Sequence, residues 1–134
     1  DLSKKFQKEL YMLIFSNKDP KKFIKKFVKD LESGKYDSLL VYRKSMRKAA
    51  EEYVKTTPPH VKAARKLDYV ESNIIEYVVT EDGPEPIQKL KSKIDYKHYV
   101  DKQVKPIADA ILTFFNVSFE EVLKNSKQSS LFSF

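Results

Sequence analysis

The stretch NIIEYVVTE, from Asn73 to Glu81, constrains the fold more than any other. Its β-branched residues Ile74, Ile75, Val78 and Val79 lose side-chain freedom in a helix and suit a pleated strand, and the DGPEP that follows reads as a closing turn. A strand must pair its backbone groups and cover at least one face. A second extended segment is predicted within YDSLLVYRKSM, where Leu39, Val41 and Arg43 alternate with Leu40, Tyr42 and Lys44. Strands separated in this way pair antiparallel and pack beneath helices.

Helical signals lie on both sides of this β region. LSKKFQKELYMLIFSN places Phe6, Leu10, Leu13 and Ile14 at helical spacing before NKDP interrupts it. Asp19 then caps a helix with Pro20 at its first position, Phe23, Ile24, Phe27, Val28 and Leu31 along its apolar face, and Gly34 at its end. These two helices predict a hairpin. AAEEYVKTT predicts a short helix and PPHVKAARKL another, divided by Pro58 and Pro59. In IDYKHYVDKQVKPIADAILTFF, Tyr96, Tyr99 or Val100, Val104, Ile107 and Ile111 keep helical register, with a kink or break expected at Pro106. Ser118 and Glu121 predict a capping box at the start of SFEEVL. The expected fold class is α+β, mostly helical, with helices packed on a small antiparallel β-sheet.

Composition narrows function mainly by exclusion. A chain of 134 residues has the size of one domain, and its lack of Cys excludes disulfides, thiolate zinc sites and Cys nucleophiles. Its two Gly cannot build a glycine-rich phosphate cradle. The carboxylate pairs Glu51–Glu52, Glu81–Asp82 and Glu120–Glu121 are adjacent in sequence, which points them apart, and none has a His nearby. No catalytic residue and no metal ligand is assigned. No apolar run reaches the length of a membrane span, and DLSKKFQKEL lacks the apolar core of a signal peptide, so the expectation is a cytoplasmic protein without a membrane partner. The net charge of +7 favours a polyanionic partner such as nucleic acid.

Basic residues cluster in three places. VYRKSMRK carries Arg43, Lys44, Arg47 and Lys48 behind Tyr42. PPHVKAARK sets His60 in the first turn of a helix, where backbone N–H groups favour an anion, and puts Lys62, Arg65 and Lys66 on one face while Val61 and Ala64 turn inward. From the residues alone, a solvated strand end and an ordinary helix start compete with a phosphate-binding surface. The lysines of KKFIKKFVK are read as the wet face of an amphipathic helix. Tyr77, Tyr96 and Tyr99 could stack on bases but are read as core residues.

Four blocks in order, FQKELYMLIF, LLVYRKSMRKAAEEYVKTTPPHVKAARKL, IIEYVVTEDGPEPI and IDYKHYVDKQVKPIADAIL, resemble the C-terminal part of a family B DNA polymerase, in its bacterial polymerase II-like branch. The resemblance implies a thumb domain over residues 18–123, the end of a palm helix over 1–17 and a tail over 124–134. It implies that Tyr42, Arg43, Lys44, Arg47, Lys48, His60, Lys62, Arg65 and Lys66 hold primer–template duplex DNA. The palm aspartates of the family, usually in an Asp-Thr-Asp-Ser motif, have no counterpart here. The chain alone is therefore expected to be inactive and without a cofactor, with Mg2+ held in the palm of a longer parent whose palm, fingers and exonuclease domains would be its partners. The connection RKLDYVESNII is shorter than the family pattern at that point.

QSSLF resembles the bacterial sliding-clamp-binding motif, which implies clamp contact through Gln128, Ser130, Leu131 and Phe132, with Phe134 beyond. The alternative for these residues is packing on the last helix. The competing reading of the whole chain is a stand-alone basic module that binds nucleic acid or protein and has no catalytic parent.

Overall fold

A computed structural model describes residues 1–45, 58–66 and 74–124. They form two compact units, one from Asp1–Asp37 with residues 97–124 and the other from the described residues between Ser38 and Tyr96.

The first unit is helical. Helix α1 spans Leu2–Phe15 and α2 spans Pro20–Glu32. Leu2, Phe6 and Leu10 line the buried face of α1, while Leu13 and Ile14 are only half-buried. The start of α2 follows the sequence expectation: the Asp19 carboxylate accepts from the Lys21 N–H at 2.9 Å, and Pro20 opens the helix where a missing N–H costs nothing. Its end follows too, with Gly34 at φ 94° and the Lys35 N–H returning to the Asp30 carbonyl. Aromatic rings join the hairpin, because Phe6 lies 5.8 Å from Phe23 and 4.8 Å from Phe27, and Phe27 stacks on Tyr36 at 4.7 Å.

At Pro106, where a kink or break is expected, the helix continues through an irregular turn. Helix α4 (Tyr96–Tyr99) runs through a π-helical turn at Val100–Val104 into α5 (Lys105–Leu112). The Lys105 N–H donates to the Val100 carbonyl five residues back, so the backbone takes up one extra residue just before the proline that lacks a donor. That residue rotates the following face. Tyr99, Val100 and Val104 are buried as expected, but beyond the turn the buried residues are Ala108 and Leu112, with Ile107 and Ile111 half-buried. Helix α6 (Phe119–Lys124) begins as its sequence predicts, with the Ser118 hydroxyl accepting from the Glu121 N–H. Lys105 and Glu120 pair at 2.7 Å, linking α5 to α6.

The second unit holds a three-stranded antiparallel sheet in the order β1-β2-β3, from Tyr42–Ser45, Ile74–Thr80 and Gly83–Pro86. Helix α3 (Pro59–Arg65) packs on all three strands. Two sequence expectations are corrected. The strand expected across YDSLLVYRKSM begins only at Tyr42, behind a 3-10 turn at Asp37–Leu39, and within the described residues Tyr42–Ser45 pair with Ile74–Tyr77 of β2. The turn expected over DGPEP is confined to Glu81 and Asp82; Gly83–Pro86 goes on as an edge strand. Its prolines face Tyr77 and Val79, and the Val79 carbonyl accepts from Asp95 on the opposite edge, so neither pair needs the N–H that proline lacks. The short helix expected in AAEEYVKTT lies outside the described residues.

No helix among the described residues is long and apolar enough to cross a membrane.

Candidate nucleic-acid interface

The basic residues of the second unit are positioned from a small core. Val61, Ala63 and Ala64 of α3 pack on Ile75 and Tyr77 of β2, all at most 4% exposed, with Tyr42 and Val79 against them. The small side chains at positions 63 and 64 let the helix lie close to the sheet. A helix of seven residues cannot hold itself in water, so this packing is what places it.

The outer flank of α3 is then determined by helical geometry. Lys62, Arg65 and Lys66 are exposed, as their spacing predicts, and Val61 and Ala64 are buried. The start of the helix is a poorer anion site than the sequence suggests. Pro58 and Pro59 supply no N–H, and the N–H groups of Val61 and Lys62 both donate to the Pro58 carbonyl at 3.0 Å.

Strand geometry divides the first basic cluster. Tyr42 is in register with Tyr77 and Lys44 with Ile75, which puts both on the face that α3 covers; Arg43 is in register with Glu76 and so lies on the other face. Tyr42 is half-buried, its ring stacked on Tyr77 at 5.2 Å with 25° between planes. Its ring serves the core first. Partial burial above all, and then the charge of Lys44, lower the pKa of His60 below the ordinary 6.5. Lys44 and His60 therefore form one electrostatic neighbourhood, beside a helix whose exposed flank carries Lys62 and Arg65. Arg43 faces away from it, opposite a carboxylate. Arg47 and Lys48 lie outside the described residues, as do Gln128, Ser130, Leu131, Phe132 and Phe134.

Lys66 has a different environment. Its ammonium donates to the Asp82 carbonyl at 3.4 Å, in the turn between β2 and β3. Next to it the Glu85 carboxylate, 6% exposed, accepts from the N–H groups of Lys91 at 2.8 Å and Ser92 at 3.1 Å and from the Ser92 hydroxyl. The Lys91 bond above all, then the Ser92 bonds and the Lys66 charge, lower its pKa from the ordinary 4.5 against the opposing effect of burial. Sequence reading missed this network. An acid between two prolines in a basic chain was its one visible sign.

Tyr77 and Tyr99, weighed against a base-stacking role, are 4% and 0% exposed and belong to the core. Of the lysines of α2, Lys21, Lys22, Lys26 and Lys29 are exposed as expected, with Lys26 paired to Asp30 at 3.3 Å, whereas Lys25 is half-buried and its Nζ is enclosed without a hydrogen-bond partner among the described residues. Among the described residues no group of three or more His, Asp or Glu side chains converges as a metal site would.

The chain matches several DNA polymerases along most of its length. It is 37% identical over 133 residues to DNA polymerase II of Escherichia coli, covering 91% of this chain and 17% of that protein. It is 32% identical over 144 residues to DNA polymerase 1 of Saccharolobus solfataricus, covering 95% of this chain and 16% of that one. With a DNA polymerase of Archaeoglobus fulgidus it shares 30% identity over 167 residues, covering 100% of this chain and 21% of the relative. The chain thus spans 16 to 21% of the length of these relatives, which are both bacterial and archaeal. No family model matches it.

Proposed function

The relatives of this chain are family B DNA polymerases, and from that premise we propose that it is the thumb of such an enzyme, gripping primer–template duplex behind the site of synthesis. In this reading residues 1–17 end the palm, 18–123 form the thumb and 124–134 a tail. The chain serves template-directed DNA synthesis only within a longer parent, in the cytoplasm, with palm, fingers and exonuclease as its covalent partners and Mg2+ bound in the palm.

The observation that carries the proposal is that α3 is packed on Ile75 and Tyr77 with Lys62 and Arg65 on its exposed flank, while Lys44, in register with Ile75, belongs to the sheet face that α3 covers. Cations from a strand and a helix, held by one packed core, are stiffer than lysines on a coil and suit contact with successive phosphates. Phosphate contacts of this kind fix register and orientation without reading bases. Lys44, Lys62 and Arg65 are assigned to this contact, and Arg47, Lys48 and His60 are proposed to share it. Arg43 joins at lower weight because Glu76 stands opposite it, and Tyr42 supports the strand that carries Lys44.

The test is binding of the 134-residue chain to a labelled primer–template duplex across a salt series. If about five phosphates are neutralised, log K falls with log salt at a slope of roughly −4 to −5, alike for unrelated sequences. A slope near zero would remove the proposal.

The tail is proposed to take a bacterial-type sliding clamp, the Gln128 amide entering one small pocket and Leu131 and Phe132 an apolar one. A labelled Lys124–Phe134 peptide is expected to bind such a clamp with a Kd of about 1 μM, worth roughly −8 kcal/mol. Fluorescence anisotropy should show that binding lost when Gln128, Leu131 and Phe132 are all changed to Ala. Equal titration curves for the two peptides would leave the tail to pack on its own chain.

A further inference from the structure

The cations on the outer flank of α3 do not share one task. We propose that Lys66 is a positioning residue and not a phosphate ligand: it ties the C-terminal end of α3 to the Asp82–Gly83 turn and so sets the direction in which Lys62 and Arg65 project. The inference rests on the duplex-binding reading above and assigns a role within that surface.

The geometry begins at the hairpin. Gly83, at φ 98°, follows the turn and lets the chain reverse; a Cβ added there would stand 3.9 Å from the Lys66 ammonium. The same ammonium donates to the Asp82 carbonyl. The turn is locked from inside by Thr80, 2% exposed, whose hydroxyl accepts from the Asp82 N–H at 3.1 Å and donates to the Gly83 carbonyl at 2.8 Å. Lys66 thus holds a rigid object.

Charge explains why a cation is needed there. The Ser92 hydroxyl lies within hydrogen-bond distance of both the Asp82 and the Glu85 carboxylates, and it has one proton to give. Two acids sharing one donor repel each other. Lys66 meets the residue of the first through its carbonyl and acts electrostatically on the second, so its charge offsets the repulsion from the α3 side. The other groups that face Glu85 are the N–H donors of Lys91 and Ser92. A lysine whose charge is engaged in this way is held away from the open flank where Lys62 and Arg65 stand.

The experiment measures two things on the same variants of the 134-residue chain: duplex affinity across a salt series, and the titration of the Glu85 carboxyl carbon by NMR. Lys66→Met is expected to weaken binding several-fold with the salt slope unchanged and to move the Glu85 titration upward, toward 4.5. Lys66→Arg should restore both. Arg65→Met should flatten the slope by about 0.9 and leave Glu85 where it was. The sign follows from Glu85 itself: its lowered pKa stabilises the fold above pH 4.5 and that stability is lost as pH falls through the folded value, so Lys66→Met should unfold at higher pH on acidification.

A slope flattened by about 0.9 in Lys66→Met, whether or not Glu85 moves, would make Lys66 a phosphate ligand and overturn the inference. So would unaltered affinity. A wild-type chain that fails to bind duplex would remove the underlying reading instead, and that result is recognisable because Lys66→Arg and Arg65→Met would then show nothing to compare.

Discussion

Replacing Lys44, Lys62 and Arg65 together by Gln will weaken duplex binding roughly 100- to 200-fold at 0.15 M salt and flatten the salt slope by about 2.7. Each phosphate contact contributes to log K about 0.9 times the log of the salt dilution, so three lost contacts account for both figures. Lys44 comes from β1 and Lys62 and Arg65 from α3, two elements joined by the packing of α3 on the sheet. Gln keeps a hydrogen-bonding side chain while removing charge, and all three side chains are exposed, so the loss of binding can be read apart from folding. Arg43→Gln provides the contrast. It lies one residue from Lys44 but on the other face of the strand, opposite Glu76, and should flatten the slope by much less than one. If Arg43→Gln matched the triple variant, the duplex would lie on the wrong face of the sheet for this reading.

Tyr77→Ala will unfold the second unit or come close to it. Its ring is 4% exposed, stacks on Tyr42 and closes a core otherwise made of Val61, Ala63, Ala64 and Ile75. Truncating a buried aromatic costs about 3–5 kcal/mol, and the alanines at 63 and 64 offer no bulk that could collapse into the cavity. Backbone amide signals of residues 74–86 should lose their dispersion, and duplex binding should fall with them because the core on which α3 packs is lost. Tyr77→Phe keeps the ring and should cost within about 1 kcal/mol. Dispersed signals with full affinity in Tyr77→Ala would mean that the cations do not depend on this core.

The same small core explains why much of the unit was readable and some of it was not. The strand at Ile74–Thr80 needed only β-branched residues in a run, and α2 needed only its cap, its proline and its apolar spacing, because each of these is a local preference. The division between Lys62 or Arg65 outside and Val61 or Ala64 inside followed from helical periodicity. Other features depend on partners distant in sequence. GPEP is a strand because β2 lies beside it, and its prolines are tolerated because the ladder at those positions does not ask for their N–H.

Charge, periodicity and the order of the sequence blocks by themselves determined the helical hairpin, the central strand, the basic flank of α3 and the likeness to family B polymerases. Tertiary structure alone decided that Lys44 lies on the sheet face that α3 covers while Arg43 lies on the other, that Lys66 is drawn to the Asp82–Glu85 network, and that Ala108 and Leu112 replace Ile107 and Ile111 in the core. The physical reason is common to all three. A periodic pattern specifies a face only until the backbone gains a residue, as it does in the π-helical turn before Pro106, and it never specifies which distant chain that face will meet.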